Sequence, residues 1–421
     1  MNIKKVPVCC VIIIMHLTGI KMYAIQDTLK ITIRDAEKQF IEKNLLLLAE
    51  HYNIDIAKAE LMQAKVFDNP SFSASIDIYN PDNKKWFDTS KSTGQYIFSI
   101  EQVIRLGGKR NKEIAMANAN VQLTEHQLYD LFRTFRFSLN SIFYETYYTL
   151  RSLRSFDTQI ALLEDLETNY KELNRRGTIS LNEVVRIQSL LYSLKSDKLD
   201  IQSAFNELQS QLQLLIQDNQ TIFIPELTPE EYAFFDPHSF SLSSLVEEAY
   251  NNRIDMKITK AELDFQQKNL SLQKAIAIPD LTVGAEYDKR GNFTDNLFSF
   301  TLSIDLPFFN RNKGNIKAVR SAIKQKELLV KNKKLEIENE VIKAFSNAME
   351  ADKIYRSIDP EFEDTLQSLL QNIIENFRKK NISMLEFTDF YESYRDNIIK
   401  INQIQNRKVQ TMEELRFATG K

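Results

Sequence analysis

Glycine and proline are nearly absent from two long tracts of this chain. Between Lys109 and Ile224 there is no proline, and Gly177 is the only glycine; between Asn315 and Thr419 there is no glycine, and Pro360 is the only proline. These two residue types are the strongest breakers of helices, so their absence over such lengths predicts very long helices. Charged residues make up 26% of the 421, both signs are mixed, and the net charge is -3. That balance offers no basic stripe for a polyanion and argues against nucleic acid as a partner.

At the N-terminus Lys4 and Lys5 precede a largely apolar run from Val6 to Ile20. The run is too short to span a bilayer as a helix, and its order is that of a secretory leader. Residues 1–24 are therefore expected to be a signal peptide, cleaved after Ala24. Cys9 and Cys10 lie near the start of the run, where a lipoprotein cysteine would not sit. Both leave with the leader, so the mature chain holds no thiol for a disulfide, a metal site or a nucleophile. No later apolar run is long enough for a transmembrane helix.

The rest of the chain repeats itself. Residues 25–224 read as the first repeat, 225–241 as a linker marked by Pro225, Pro229 and Pro237, and 242–421 as the second repeat. Each repeat runs from an amphipathic stretch through two strands into a long helical tract. In the first, Asp68-Asn69-Pro70 breaks the amphipathic stretch. Strands follow over Ser71–Tyr79 and Gln95–Val103, and Leu106-Gly107-Gly108-Lys109 opens the helix. In the second, Pro279 makes the break, and strands follow over Leu281–Tyr287 and Leu297–Leu306. The segment Pro307 to Gly314 replaces the Gly-Gly turn. Arg154-Ser155-Phe156-Asp157 even has a counterpart in Arg356-Ser357-Ile358-Asp359, where Pro360 breaks the helix and Asp359 is placed to cap the next segment.

The strands alternate with period two. Phe72, Ala74, Ile76 and Ile78 oppose Ser71, Ser73, Ser75 and Asp77; Phe298, Phe300, Leu302, Ile304 and Leu306 oppose Ser299, Thr301, Ser303 and Asp305. Such strands suit equally a soluble sheet covered on one face or a membrane barrel with a wet lumen. Four strands cannot close a membrane barrel, so a barrel requires several chains. The helical tracts carry coiled-coil seams. Ile187, Leu191, Leu194, Ile201, Phe205, Leu208, Leu212 and Leu215 form one, interrupted by Lys198. Ile114, Ala117, Val121, Thr124, Leu128, Leu131, Phe135, Ser138 and Ile142 form another. The two are expected to pack antiparallel as a hairpin turning at Gly177.

Strand pairs joined to long helical hairpins and duplicated in an exported chain resemble the outer-membrane efflux protein family, the TolC-like channels. The resemblance covers roughly Thr28 to Gly420. It rests on the strand-to-helix passages Phe98-Ser-Ile-Glu-Gln-Val and Leu302-Ser-Ile-Asp-Leu-Pro-Phe-Phe, and on the turns Asn174-Arg-Arg-Gly-Thr-Ile-Ser-Leu and Phe377-Arg-Lys-Lys-Asn-Ile-Ser-Met. Pro307-Phe308-Phe309-Asn310-Arg311-Asn312-Lys313-Gly314 is similar to the heavy-metal-efflux (CzcC-like) branch. The implied fold is mainly α with a small β part: a homotrimer in which four strands per chain build a twelve-stranded outer-membrane barrel above a periplasmic helical tunnel. The implied partners are a periplasmic adaptor (a membrane fusion protein), an inner-membrane pump of the resistance-nodulation-division type and outer-membrane lipid. No cofactor is implied.

On that resemblance Arg175, Arg176, Gly177 and Ser180, with Lys380, Asn381 and Ser383 at the second turn, are the expected adaptor-docking tips. A plain helix C-cap followed by an N-cap accounts for the same residues. Asparagine tolerates the left-handed conformation, so Asn381 can stand in for the missing glycine. Glu386 and Asp389, three residues apart, share one helix face. That is ordinarily a solvated charged face; the resemblance makes them a carboxylate ring at the periplasmic constriction, able to attract cations.

Enzyme signatures are missing. His51, His126 and His238 lack ligand-like spacing, and no metal site is expected. No nucleophile elbow, phosphate loop or dinucleotide glycine pattern occurs. Phe143, Tyr144, Tyr147 and Tyr148 are expected to pack between helices. The sequence thus reads as a passive efflux duct. A type I protein secretion duct and a periplasmic coiled-coil scaffold are the competing readings.

Overall fold

The computed structural model describes residues 27–228, 236–290 and 294–421. The expected leader and its cleavage site lie outside the described residues, as does Pro229 of the linker. After β1 (Asp27–Ile31) come α1 (Ile33–Lys43) and α2 (Leu45–Ala64), then β2 (Ser71–Ile76). A small hairpin of β3 (Tyr79–Asn80) and β4 (Lys85–Trp86) leads to β5 (Tyr96–Ile104), α3 (Lys109–Arg175), α4 (Leu181–Ile216) and β6 (Thr221–Pro225). A 3-10 turn at Pro237–Ser239 precedes α5 (Leu242–Asn252), α6 (Ile254–Ile276), β7 (Leu281–Arg290) and β8 (Asp295–Ile304). The chain ends in α7 (Lys313–Arg356), α8 (Phe362–Arg378) and α9 (Met384–Thr419).

Local chemistry sets these boundaries in matched ways. Thr32 caps α1 through its side chain, and Ser241 caps α5 in the same manner. A single extended residue then separates each helix from the next: Asn44 in one case, Arg253 in the other, both buried. The passage into α3 is made by Gly107 and Gly108, each at φ 68. A Cβ on Gly107 would lie 2.7 Å from Cδ1 of Ile278, so that position requires glycine twice over. In the second passage the left-handed residue is Asn312, at φ 55, and its amide is held by the carbonyl oxygen of Gln273 at 2.7 Å.

At 67 residues α3 is about 100 Å long. The 36 residues of α4 span only about 54 Å. This corrects the expected pairing of seams. Leu212 and Ile216 of α4 reach back only to the neighbourhood of Leu139 and Phe143, with which they share a core. The earlier seam of α3, from Ile114 toward Leu131, packs instead on α2 and α6. Lys198, the polar intruder on the α4 seam, pairs with Asp157 at 2.5 Å.

The second long helix breaks after Arg356, as Pro360 demands. Asp359 does not cap the next helix, whose N-cap is Glu361; its carboxylate accepts the Glu361 N–H at 2.9 Å and closes the turn. Two apolar cores result. One lies mid-molecule around Phe40, Leu139, Phe143, Phe223 and Val341, with Tyr144 and Tyr148 packed between helices as expected; the other lies toward the helical turns around Phe156, Leu191, Phe377 and Phe387.

Strands β2, β5, β7 and β8 form one antiparallel sheet in that order. Register aligns Phe72 with Ile100, Ile100 with Ala285 and Ala285 with Phe300, so the apolar residues share one face. That face is bare in the single chain: Phe72, Phe298 and Phe300 are 69%, 79% and 74% exposed. A soluble sheet would need this face covered, and among the described residues of the single chain nothing covers it. A separate parallel pair, β1 with β6, closes the middle of the molecule.

Candidate functional site

The two helical turns lie side by side at the end of the molecule remote from the sheet. Tyr170 near the first turn stacks on Phe377 near the second at 5.1 Å, and Phe377 stacks on Phe387 at 4.3 Å. Arg378 of α8 pairs with Asp165 of α3, and Arg395 of α9 meets Asp197 of α4 at 3.4 Å. Burial pushes the Tyr170 phenol up to about 12, and it pushes that of Tyr391 up as well. The Tyr391 hydroxyl donates to Gln159 at 3.1 Å. The tips are therefore fastened by an apolar, aromatic clasp just behind them.

In the first turn the Gly177 N–H bonds the Asn174 carbonyl at 2.9 Å, and the Thr178 N–H reaches back to that of Leu173 at 2.9 Å. In the second, Lys380 bonds Phe377 at 3.0 Å and Asn381 bonds Asn376 at 2.9 Å. This is one C-cap motif built twice. The left-handed residue of the second turn is Lys380 at φ 61, not Asn381 as expected. Asn381 takes the next position, and its amide donates to the Asn376 side chain at 3.1 Å. Arg175 and Arg176 turn back to Glu172, at 3.5 and 3.0 Å.

The restart differs between the turns. Ser180 is the N-cap of α4 without a side-chain bond, whereas Ser383 and Glu386 form a full capping box on α9. The Ser383 N–H donates to Glu386 at 2.7 Å, and the Glu386 N–H donates to the Ser383 hydroxyl at 3.2 Å. These bonds, the one from the Ser383 backbone foremost, hold the Glu386 carboxyl below its ordinary value. Asp389 sits one turn on. Both carboxylates are exposed, on the helix face opposite the buried Phe387 and Tyr391. Glu386 thus has a structural duty that spacing alone did not reveal.

The fold also assembles a group that sequence reading missed. His238 Nε2 lies 3.1 Å from the buried carboxylate of Asp352, 114 residues away in sequence, with Asp236 close by. Arg356 bonds both carboxylates, at 2.5 Å to Asp352 and 3.0 Å to Asp236, and Lys408 reaches Asp352 at 2.9 Å. Burial opposes ionisation of Asp352, but Lys408 and Arg356 prevail and hold its carboxyl below the usual range. The two carboxylates of this group are thus engaged by the protein's own cations, and the group ties the linker to α7 and α9. No helix among the described residues is long and apolar enough to cross a membrane.

Residues 245–420 match the family model described as outer membrane efflux protein. The cobalt-zinc-cadmium resistance protein CzcC of Cupriavidus metallidurans is 23% identical over 303 residues, which cover 69% of this chain and 66% of that protein. The matched region thus spans just under two thirds of that relative's length. Among solved structures, CusC superposes with a TM-score of 0.71 at 14% identity over 92% of both chains. The Campylobacter jejuni CmeC outer membrane channel superposes at 0.72 and 12% identity, over 92% of this chain and 85% of its own. The likeness to these structures is one of fold.

Proposed function

We propose that this chain, which matches the outer membrane efflux protein family model over residues 245–420, forms the outer-membrane duct of a tripartite efflux system. The observation that carries the reading is the bare apolar sheet with two open edges. Among the described residues, β2 and β8 are each paired on one side only. Open edges cost several kcal/mol per unpaired group in lipid, so the sheet can enter a membrane only if copies close it into a barrel. The nine residues of β5 extend about 30 Å, or about 21 Å along the membrane normal at a tilt near 45°. That is close to the ~25 Å apolar band of such barrels.

A second observation supports self-association. Val185, Tyr192 and Leu199 on α4, and Leu328, Leu335 and Ile342 on α7, repeat every seven residues and are exposed. These are outward seams with no partner helix among the described residues of the single chain. Three copies, the number the family implies, would supply twelve strands and a closed ring of helices in the periplasm. The tips at Gly177 and Lys380 would then meet an adaptor and pump. Glu386 and Asp389 would place six carboxylates around the entrance. CzcC is named for cobalt, zinc and cadmium resistance, and an acidic entrance suits divalent metal cations as the cargo here. The duct is a passive conduit, and no reaction is assigned to it.

Mild crosslinking in cells followed by pull-down tests the assembly. The expected result is a heat-modifiable trimer in the outer-membrane fraction, with a periplasmic adaptor and a resistance-nodulation-division pump attached. A soluble monomer would sink the proposal. Capture of a protein-secretion ATPase instead would reassign the duct to type I secretion.

A further inference from the structure

The loop joining β2 to β5, residues 77–95, projects from the end of the sheet opposite the helices, and it is built around one buried carboxylate. Asp88 accepts from the Ser90 N–H at 3.0 Å, from the Thr93 hydroxyl at 2.5 Å and from the Asn83 amide. Arg290, at the end of β7, donates to the Thr93 carbonyl at 3.3 Å, and Gln95 donates to Asp288 at 2.8 Å, so the loop is also bound to the neighbouring hairpin. Its base is therefore tied down by side-chain bonds on both sides.

Its tip is unusual in composition and conformation. Tyr79 and Trp86 pair at 5.0 Å across the small β3–β4 hairpin. Trp86 is 69% exposed, Phe87 62% and Ile78 61%. Phe87 is held at φ 47, in the left-handed region that a bulky residue avoids, with its N–H bonded to the Ile78 carbonyl at 2.9 Å. Lys84, Lys85 and Lys91 are exposed beside these rings, against the exposed carboxylates of Asp77 and Asp82.

On the sheet, the apolar face next to this loop is aromatic. Phe98, Tyr96, Tyr287 and Phe298, in that order, form a continuous row with ring separations of 5.4, 6.1 and 5.0 Å. Aromatic rings with lysines at the rim of an apolar band mark the headgroup level of a membrane, where the rings find both apolar and polar surroundings and the cations find phosphate.

We propose that the Trp86–Phe87 tip of the 77–95 loop docks onto the anionic lipid surface surrounding the barrel and fixes the depth at which the sheet sits. This rests on the reading of the sheet as membrane-embedded. The occupant is lipid because Phe87 is bonded to Ile78, which follows directly on the exposed apolar residues Phe72 and Ile76 of β2, and because the tip carries three exposed lysines against two exposed carboxylates.

Trp86 is the chain's single tryptophan, so its fluorescence reports this contact alone. The full chain is reconstituted into phosphatidylcholine vesicles with and without phosphatidylglycerol, some carrying bromine high on the acyl chains. Conductance is recorded from the same preparation. The expected result is emission shifted to the blue, quenched by the brominated lipid and shielded from acrylamide, with the shielding greater when phosphatidylglycerol is present. The K84Q/K85Q variant should lose that dependence on anionic lipid while still conducting.

Conducting channels whose Trp86 is freely quenched by acrylamide would overturn the proposal and leave the duct reading standing. So would a Trp86 that is shielded but insensitive to brominated lipid, which would place the tip against a neighbouring chain. A chain that neither inserts nor conducts overturns both.

Discussion

Lys380 occupies in the second helical turn the left-handed position that Gly177 occupies in the first, at φ 61 and 68. The surrounding bonds are equivalent, so the two turns differ in the cost of a side chain at that one residue. A Cβ at Gly177 would meet nothing within 4 Å, and the cost of adding one is purely conformational. We therefore expect Gly177→Ala to destabilise the first hairpin by about 1 kcal/mol, and Lys380→Gly to stabilise the second by a similar amount. Amide hydrogen exchange across Tyr170–Ile187 and Phe377–Phe387 would read both. Equal exchange in all three proteins would mean that the turns are not under this constraint.

Glu386 has two duties in this account, a cap and a charge, and they can be separated. Glutamine also completes a capping box. Glu386→Gln with Asp389→Asn should thus keep the folded tip and remove the carboxylates. The expected outcome is weakened cation selectivity in single-channel recordings, with tip exchange rates unchanged. Selectivity that survives in the double variant removes both residues from the entrance.

The same cap predicts an acid response. The folded Glu386 carboxyl is held below its ordinary value by Ser383, so its contribution is fully present above the unfolded glutamate value of about 4.3. It is lost as pH falls through the lower, folded value. Protection at Glu386 and Phe387, corrected for intrinsic exchange, should fall only in that acidic window, and Glu386→Gln should abolish that loss of protection. A loss of protection already above pH 5 would point to another group.

Much of this architecture could be read from residues alone, and the misreadings have physical causes. Missing breakers between Lys109 and Ile224 announced the hairpin, and Gly177 its turn. Pattern names the apolar side of a helix but not what lies on it, so the seam from Ile114 was assigned to α4, which ends too soon to reach it. Residue preference pointed to Asn381 as the left-handed residue, whereas the backbone bonds to Phe377 and Asn376 fix Lys380 there. The pairing of His238 with Asp352 joins the linker to α7 and has no local signature. Alternation leaves the sheet's surroundings open, and that Phe298 and Phe300 stand bare in the single chain is legible only in the fold.

The outward seams predict that assembly and folding can be uncoupled. Tyr192 and Leu199 are exposed in the single chain, so Tyr192→Glu with Leu199→Glu should leave helix content unchanged. Burying uncompensated carboxylates between copies costs several kcal/mol each, enough to lose the trimer on a semi-native gel. A trimer of wild-type strength would place the subunit contacts elsewhere.

Conductance across a planar lipid bilayer tests the central claim most directly. The account predicts that heat-modifiable trimers purified from outer membranes give discrete, long-lived conductance steps, lost after heating to monomers. Trimers that bind the bilayer without conducting, or a chain recovered only as a soluble monomer, would contradict it.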